Sequence, residues 1–233
     1  MCIIIHASSK SEIADSILPD LADCHADGVG VMWHDGNGLR YAKSNNSWDY
    51  EDMLATIPDG AECAIHFRFA TSGPKDDHHA HPFIIGGGAV MHNGILSGLG
   101  GEPRSDTKQF VDRLEDITGG KTEYVDFFLD RYAKSDSCRF LYMDDNGEFG
   151  QYGIWHSHHT TDTGWISYSS DPDVGTWCRS SLAALYGGSW DDAPWERRGM
   201  TCEDWILEDP ARAADLLEML YYESPEAEYR ENV

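Results

Sequence analysis

Basic residues are scarce in this sequence: 17 lysines and arginines stand against 41 aspartates and glutamates, a formal charge of −24 over 233 residues. A surface of that sign repels phosphate backbones before contact, so nucleic acid is not expected as a direct partner. Long apolar runs are missing as well. Stretches such as Cys2 to Ile5 and Phe83 to Ile85 fall far short of the roughly 20 residues that a membrane span needs. No basic segment precedes them, so neither export nor a membrane role is expected. The six cysteines, Cys2, Cys24, Cys63, Cys138, Cys178 and Cys202, include no CxxC pair. That spacing excludes a zinc knuckle and a dense disulfide framework, and it predicts a reducing, cytoplasmic setting in which most thiols are small buried hydrophobes. Composition leaves open whether the acidity is a salt adaptation or a docking surface.

No fixed-period repeat or low-complexity linker divides the chain, which points to one α+β domain with a helical tail. The partition expected is a domain over residues 2–185 and a helical C-terminal extension over 186–233, where Asp209-Pro210 suits a helix start. The β-branched run Ile3-Ile4-Ile5 predicts a buried strand almost at the first residue. A short helix interrupted at Pro19 is expected before Cys24, then a hairpin around Asp35-Gly36-Asn37-Gly38. Strands are predicted within Ala61 to Ala70, Ala89 to His92, Arg139 to Met143 and Gly147 to Trp155. Ser105 is a plausible N-cap for a helix with the apolar stripe Phe110, Val111, Leu114 and Ile117, and a second helix covers Thr122 to about Lys134.

Cys2 follows the initiator methionine. Removal of Met1 would put a thiol and an α-amine on one residue, a nucleophile and its base in a single unit. The amine titrates near pH 8, close enough to neutrality to accept the thiol proton and later return it. A penultimate cysteine alone carries little information. Arg68 offers a bidentate fork for a carboxylate, or an ordinary ion pair. Asp106 at a helix start reads as a first-turn acid that complements the helix dipole. Asn93-Gly94 holds the parts of an oxyanion hole, and reads equally well as a turn.

Taken together, His66-Phe67-Arg68-Phe69-Ala70-Thr71-Ser72-Gly73, Ala80-His81-Pro82, His92-Asn93-Gly94 and Ser105-Asp106-Thr107 stand in that order behind Cys2 and Asp27-Gly28-Val29-Gly30. This arrangement resembles the class II glutamine amidotransferases, a branch of the N-terminal nucleophile hydrolases. The resemblance runs over about residues 2 to 170 and ends on Gly164 to Ser169. It implies a four-layer αββα sandwich and a γ-glutamyl thioester on Cys2. It also implies that Asn93 and Gly94 stabilise the tetrahedral intermediate, that Arg68 assisted by Thr71 holds the α-carboxylate, and that Asp106 accepts the α-ammonium. His81 falls on the substrate side, and Gly30 is expected to lie against the nucleophile. Three positions depart from the family pattern: Phe69 replaces a common tryptophan, Ser72 a frequent histidine, and His79 an asparagine.

Eleven histidines, including His78-His79-x-His81 and His156-x-His158-His159, raise the question of a metal. They lack helical i, i+4 pairing and clear carboxylate partners, so they are read as polar loop residues, and no metal and no cofactor is expected. Tryptophans such as Trp155, Trp165, Trp190 and Trp205 suit packing or an interface. The leading expectation is an enzyme that cleaves the side-chain amide of glutamine to glutamate and ammonia. Because about 60 residues beyond the matched region are too few for a synthetase domain, a separate acceptor protein is expected to use the ammonia. A stand-alone hydrolase of another γ-glutamyl amide, and a non-catalytic binding protein that keeps Met1, are the alternatives.

Overall fold

The computed structural model describes residues 2–96, 98–100, 103–133, 138–161 and 163–170. All of these lie in the first of the two units into which the chain divides, Met1–Thr176. The expected boundary at 185/186, the C-terminal helix, Cys178, Cys202, Trp190 and Trp205 lie outside the described residues.

The chain order is β1 (Ile3–Ala7), α1 (Leu18–Cys24), β2 (Val29–His34), β3 (Leu39–Ser44), α2 (Tyr50–Thr56), β4 (Cys63–Phe67), β5 (Phe83–Ile85), β6 (Gly88–Asn93), α3 (Asp106–Thr118), α4 (Thr122–Ala133), β7 (Arg139–Met143), β8 (Phe149–Tyr152), β9 (His156–His159) and β10 (Trp165–Tyr168). Two antiparallel sheets result, ordered β3-β2-β4-β1-β10-β9 and β5-β6-β7-β8. Side-chain alternation along each strand assigns the layers. Ile3, Ile5, Val29, Val31, Cys63, Ile65 and Phe67 face one way and pack with Leu21 of α1 and Met53 of α2. Ile4, Met32 and Ala64 face the other way and meet Ala89, Met91, Leu141 and Met143 of the second sheet. The far face of that sheet, with Val90 and Phe140, is covered by Phe110 and Leu114 of α3 and Val125 of α4. The arrangement is a four-layer αββα sandwich, as the resemblance implied.

Local chemistry explains where the elements begin and end. Ser105 caps α3, its Oγ accepting from the Lys108 N–H at 3.2 Å, and Gly119 ends the helix in the left-handed region with φ +59°. Pro19 does not interrupt α1. It stands in the first turn, where its fixed φ fits and its missing N–H would have had no helical partner. Ile117 leaves the expected stripe of α3: buried Thr107 and Thr118 extend the covered face to the side away from it, and Ile117 is 68% exposed. The His156–His159 run, read as polar loop, forms the edge strand β9 with all four residues exposed.

The Phe140 side chain has no exposed surface, and its ring lies 5.4 Å from that of Phe110. Phe140→Ala should therefore cost about 3–5 kcal/mol, whereas Ile117→Ala should change stability by less than about 0.5 kcal/mol. Urea unfolding of both variants measures the contrast, and equal midpoints would contradict this layer assignment.

Candidate active site

The site is assembled by the ladder between β1 and β4. Ile3 pairs with Phe67 and Ile4 with His66, so the same register places Cys2 across from Arg68. The Cys2 Sγ accepts from the Phe69 N–H at 3.4 Å and lies 3.4 Å from the Phe69 carbonyl oxygen. The Arg68 backbone is held from both sides, its N–H donating to the Gly28 oxygen at 2.8 Å and its carbonyl accepting from the Asp27 N–H at 3.2 Å. The Arg68 side chain is only 3% exposed. Its guanidinium donates to the carbonyls of Pro74 at 2.8 Å and Ser72 at 3.2 Å.

The start of α3 closes the opposite wall. Asp106 Oδ1 accepts from the Ser72 hydroxyl at 3.1 Å and the Thr107 N–H at 2.8 Å, while Oδ2 accepts from the Leu96 N–H at 2.9 Å. Of the residues singled out in the sequence, Cys2, Arg68, Thr71, His81, Gly94 and Asp106 line one cleft. Its free space is about 20 Å³, enough for one water molecule but not for an amino acid.

Two residues are placed differently. Gly30 serves the site through another contact than the one expected: a Cβ there would stand 1.8 Å from the His81 carbonyl oxygen and 3.0 Å from that of Ala42. The missing side chain makes room for the backbone of residue 81, and the thiol is not among the nearest atoms. Asn93 is buried in the end of β6, and its Nδ2 is directed to the hydroxyls of Ser169 at 3.0 Å and Ser170 at 2.7 Å. Gly94 beside it has φ +146°, a conformation that favours glycine.

Groups not singled out for this chemistry also shape the cleft. Asp27, read only as part of an opening motif, accepts from the Ala70 N–H at 2.9 Å and pairs with Lys75 at 2.8 Å, anchoring the loop that follows β4. The rings of His66 and His81 are 3.9 Å apart, and His92 Nδ1 lies 2.9 Å from the Thr107 hydroxyl. Neither ring nitrogen of His81 has a protein partner. Each of these histidines belongs to a motif, but their mutual contact has no sequence signal because they come from three separate segments.

Burial dominates the electrostatics. It pushes the Cys2 thiol above its usual range, against the opposing effects of the positive chain terminus, the Phe69 N–H and Arg68. It lowers the pKa of His66 to about 3, that of His92 to about 4, and that of His81 well below its ordinary value, where neighbouring positive charge adds to the effect. These imidazoles are neutral near pH 7, so the positive charge of the cleft is that of Arg68. Among the described residues no group of three histidines, cysteines or acids is arranged to hold a metal, and no helix is long and apolar enough to cross a membrane.

The geometry can be set beside known proteins. The structure of the allosteric regulatory enzyme of purine biosynthesis superposes with a TM-score of 0.51 at 19% identity, covering 72% of this chain and 42% of that one. The chain shares its fold with that enzyme, and its likeness is to the class II glutamine amidotransferases. The glutamine phosphoribosylpyrophosphate amidotransferase of B. subtilis, complexed with ADP and GMP, gives a TM-score of 0.49 at 17% identity over 77% of this chain and 43% of that one. In sequence, a Haemophilus influenzae protein provisionally designated a glutamine amidotransferase is 32% identical over 87 residues, 34% of this chain and 30% of that protein. Glutamine–fructose-6-phosphate aminotransferase of Corynebacterium glutamicum is 35% identical over 75 residues, 30% of this chain and 12% of that enzyme. The chain thus spans less than a third of either curated relative it matches. No family model matches.

The buried histidines make folding sensitive to acid. Their folded pKa values lie below the unfolded value of 6.5, so their contribution is complete above pH 6.5 and declines as the unfolded chain binds protons that the folded one refuses. Between pH 6.5 and about 4, stability should fall by up to about 1.4 kcal/mol per pH unit for each such histidine. Urea unfolding at pH 7 and pH 5 tests this, and identical stabilities would refute it.

Proposed function

We propose that this protein hydrolyses the side-chain amide of glutamine through a thioester on Cys2, giving glutamate and ammonia. The supporting observation is the convergence of one thiol, one buried guanidinium and one buried carboxylate on a single cleft. Arg68 would hold the α-carboxylate and Asp106 the α-ammonium, with Thr71 and His81 on the substrate side.

In this reading the α-amine exposed by loss of Met1 takes the Cys2 proton. The need for such a base follows from the burial that raises the thiol pKa. The thiolate adds to the amide carbon, and the Gly94 N–H and Asn93 Nδ2 stabilise the resulting oxyanion. The Asn93 donor becomes free if its amide is turned end for end. Ser169 Oγ already accepts from the Ile4 N–H at 2.8 Å, so its own proton needs an acceptor, and Asn93 Oδ1 can receive it. The C–N bond then breaks, the leaving nitrogen collects its proton from the α-ammonium, and ammonia departs. Water adds to the thioester by the same route and releases glutamate with the thiol restored. Transfer of the ammonia to an acceptor on a separate protein is part of the proposal.

Substrate entry requires the loop after β4 to move. The carbonyls of Ser72 and Pro74 occupy the guanidinium donors, and the Ser72 hydroxyl occupies Asp106. A substrate carboxylate would replace two neutral acceptors by a charge-assisted pair. The same Ser72 contact favours a second reading, in which the preferred substrate is another γ-glutamyl amide. Ser72 is a family departure standing directly on the group assigned to the α-ammonium, and comparison of hydrolysis rates for glutamine and γ-glutamyl amides separates the two.

Intact mass before and after incubation with 6-diazo-5-oxo-norleucine should show loss of Met1 and a single adduct on Cys2. Retained Met1 with no adduct would remove the enzymatic reading in favour of a binding protein. Cys2→Ala should abolish ammonia release while the protein remains folded. Arg68→Lys should raise KM by about 10- to 100-fold through loss of charge-assisted bonds, with a smaller change in kcat. Unaltered kinetics in that variant would take Arg68 out of the substrate site.

A further inference from the structure

A cross-strand row on the inner face of the six-stranded sheet underlies the loop that carries His81. Gly30 of β2 pairs with Lys43 of β3 on one side and with His66 of β4 on the other, so all three point toward the second sheet. Residues 78–82 lie across this row. The Lys43 ammonium donates to the carbonyls of His78 at 3.4 Å, Ala80 at 3.0 Å and Pro82 at 3.2 Å. The intervening carbonyl, that of His81, points the other way into the space left by the absent Gly30 side chain. An ammonium group has three donors and no acceptor, and each of the three is taken by this one segment. The Phe83 ring, with its centroid 5.1 Å from Nζ, adds a cation–π contact.

The clamp matters because His81 has few other means of orientation. Neither of its ring nitrogens has a hydrogen-bond partner in the protein, so no polar contact fixes the ring. Its position follows from its backbone, from the His66 ring at 3.9 Å and from the Phe83 ring at 4.8 Å. The backbone is held by Lys43 and seated on Gly30. The ring lines the cleft that contains the Cys2 thiol.

We infer that Lys43 is a positioning residue for the Cys2 cleft, acting through the backbone of residues 78–82 to place His81. This rests on the function proposed above. Lys43→Met keeps most of the apolar stem and removes all three donors. At saturating 6-diazo-5-oxo-norleucine, its Cys2 labelling rate per folded molecule should fall about tenfold or more, since small misplacements in a reactive site cost rate steeply. Lys43→Arg should restore part of the loss, and Lys121→Met, a change at an exposed helix start, should react at the wild-type rate. Combining Lys43→Met with His81→Ala should add nothing to the loss caused by His81→Ala alone. A merely destabilising change would reduce the folded fraction without this dependence. Lys43→Gln serves the same test if Lys43→Met does not fold.

A second readout needs no activity. In Lys43→Met the His81 ring resonances should shift while those of His158 stay in place. A wild-type labelling rate, additive losses in the double variant, or unmoved His81 resonances would each overturn the inference. Wild-type protein that takes no adduct would instead refute the glutamine reading, and the resonance measurement alone would then decide the clamp.

Discussion

The pairing of β1 with β4 is the constraint on which the rest of the structure depends. Ile3, Ile4 and Ile5 are wholly buried, each contributing about 1.5–3 kcal/mol of side-chain burial, and β1 is flanked by β4 and β10 inside its sheet. A one-residue slip would turn Ile3 and Ile5 from the helix-covered face to the inner one and Ile4 the reverse way. It would also move Cys2 away from Arg68. Cys2, the proposed nucleophile, is therefore tied to a strand buried along its whole length, while the groups proposed to recognise the substrate sit on the loop after β4 and at the first turn of α3.

The polar interior follows from that placement. A sandwich whose three cores between layers are built of apolar side chains places neutral histidines around the cleft, His66 and His81 with their rings together and His92 stacked on Phe140 with 4.6 Å between centroids. Imidazoles pack like aromatic rings while neutral and resist protonation where burial is complete, so they fill space beside Arg68 without competing for an anion. The cost is stored in acid lability. Asp106 solves a related problem in another way: it is satisfied by two backbone N–H groups and a hydroxyl, which keeps a buried carboxylate compatible with the fold.

Local sequence chemistry was legible wherever one segment decides its own conformation. Ser105 and Gly119 bound α3, Asp35-Asn37-Gly38 turns β2 into β3, and the isoleucine run makes a strand, because capping, positive φ and β-branching act within a few residues. Pro19 was misread because a proline ends one helix and opens another, and only the position of the turn distinguishes the two. The β9 histidines were misread because an edge strand exposed at all four residues carries no apolar alternation. The short helix α2 was not foreseen, since seven residues leave too little room for a periodic stripe.

The sequence by itself determined the element types, the inward isoleucine run, the order of the motifs and hence the family likeness, because those properties are set by neighbours in the chain. Only the tertiary structure decided that Gly30 seats the His81 carbonyl, that the Asn93 amide faces Ser169, that Ser72 and Pro74 occupy Arg68, and that Lys43 holds the loop from residue 78 to 82. Each of these is a directed contact between segments brought together by sheet register and inter-sheet packing. Periodicity and spacing carry no record of such contacts, because they depend on which atoms of distant residues come within hydrogen-bonding reach after the layers close.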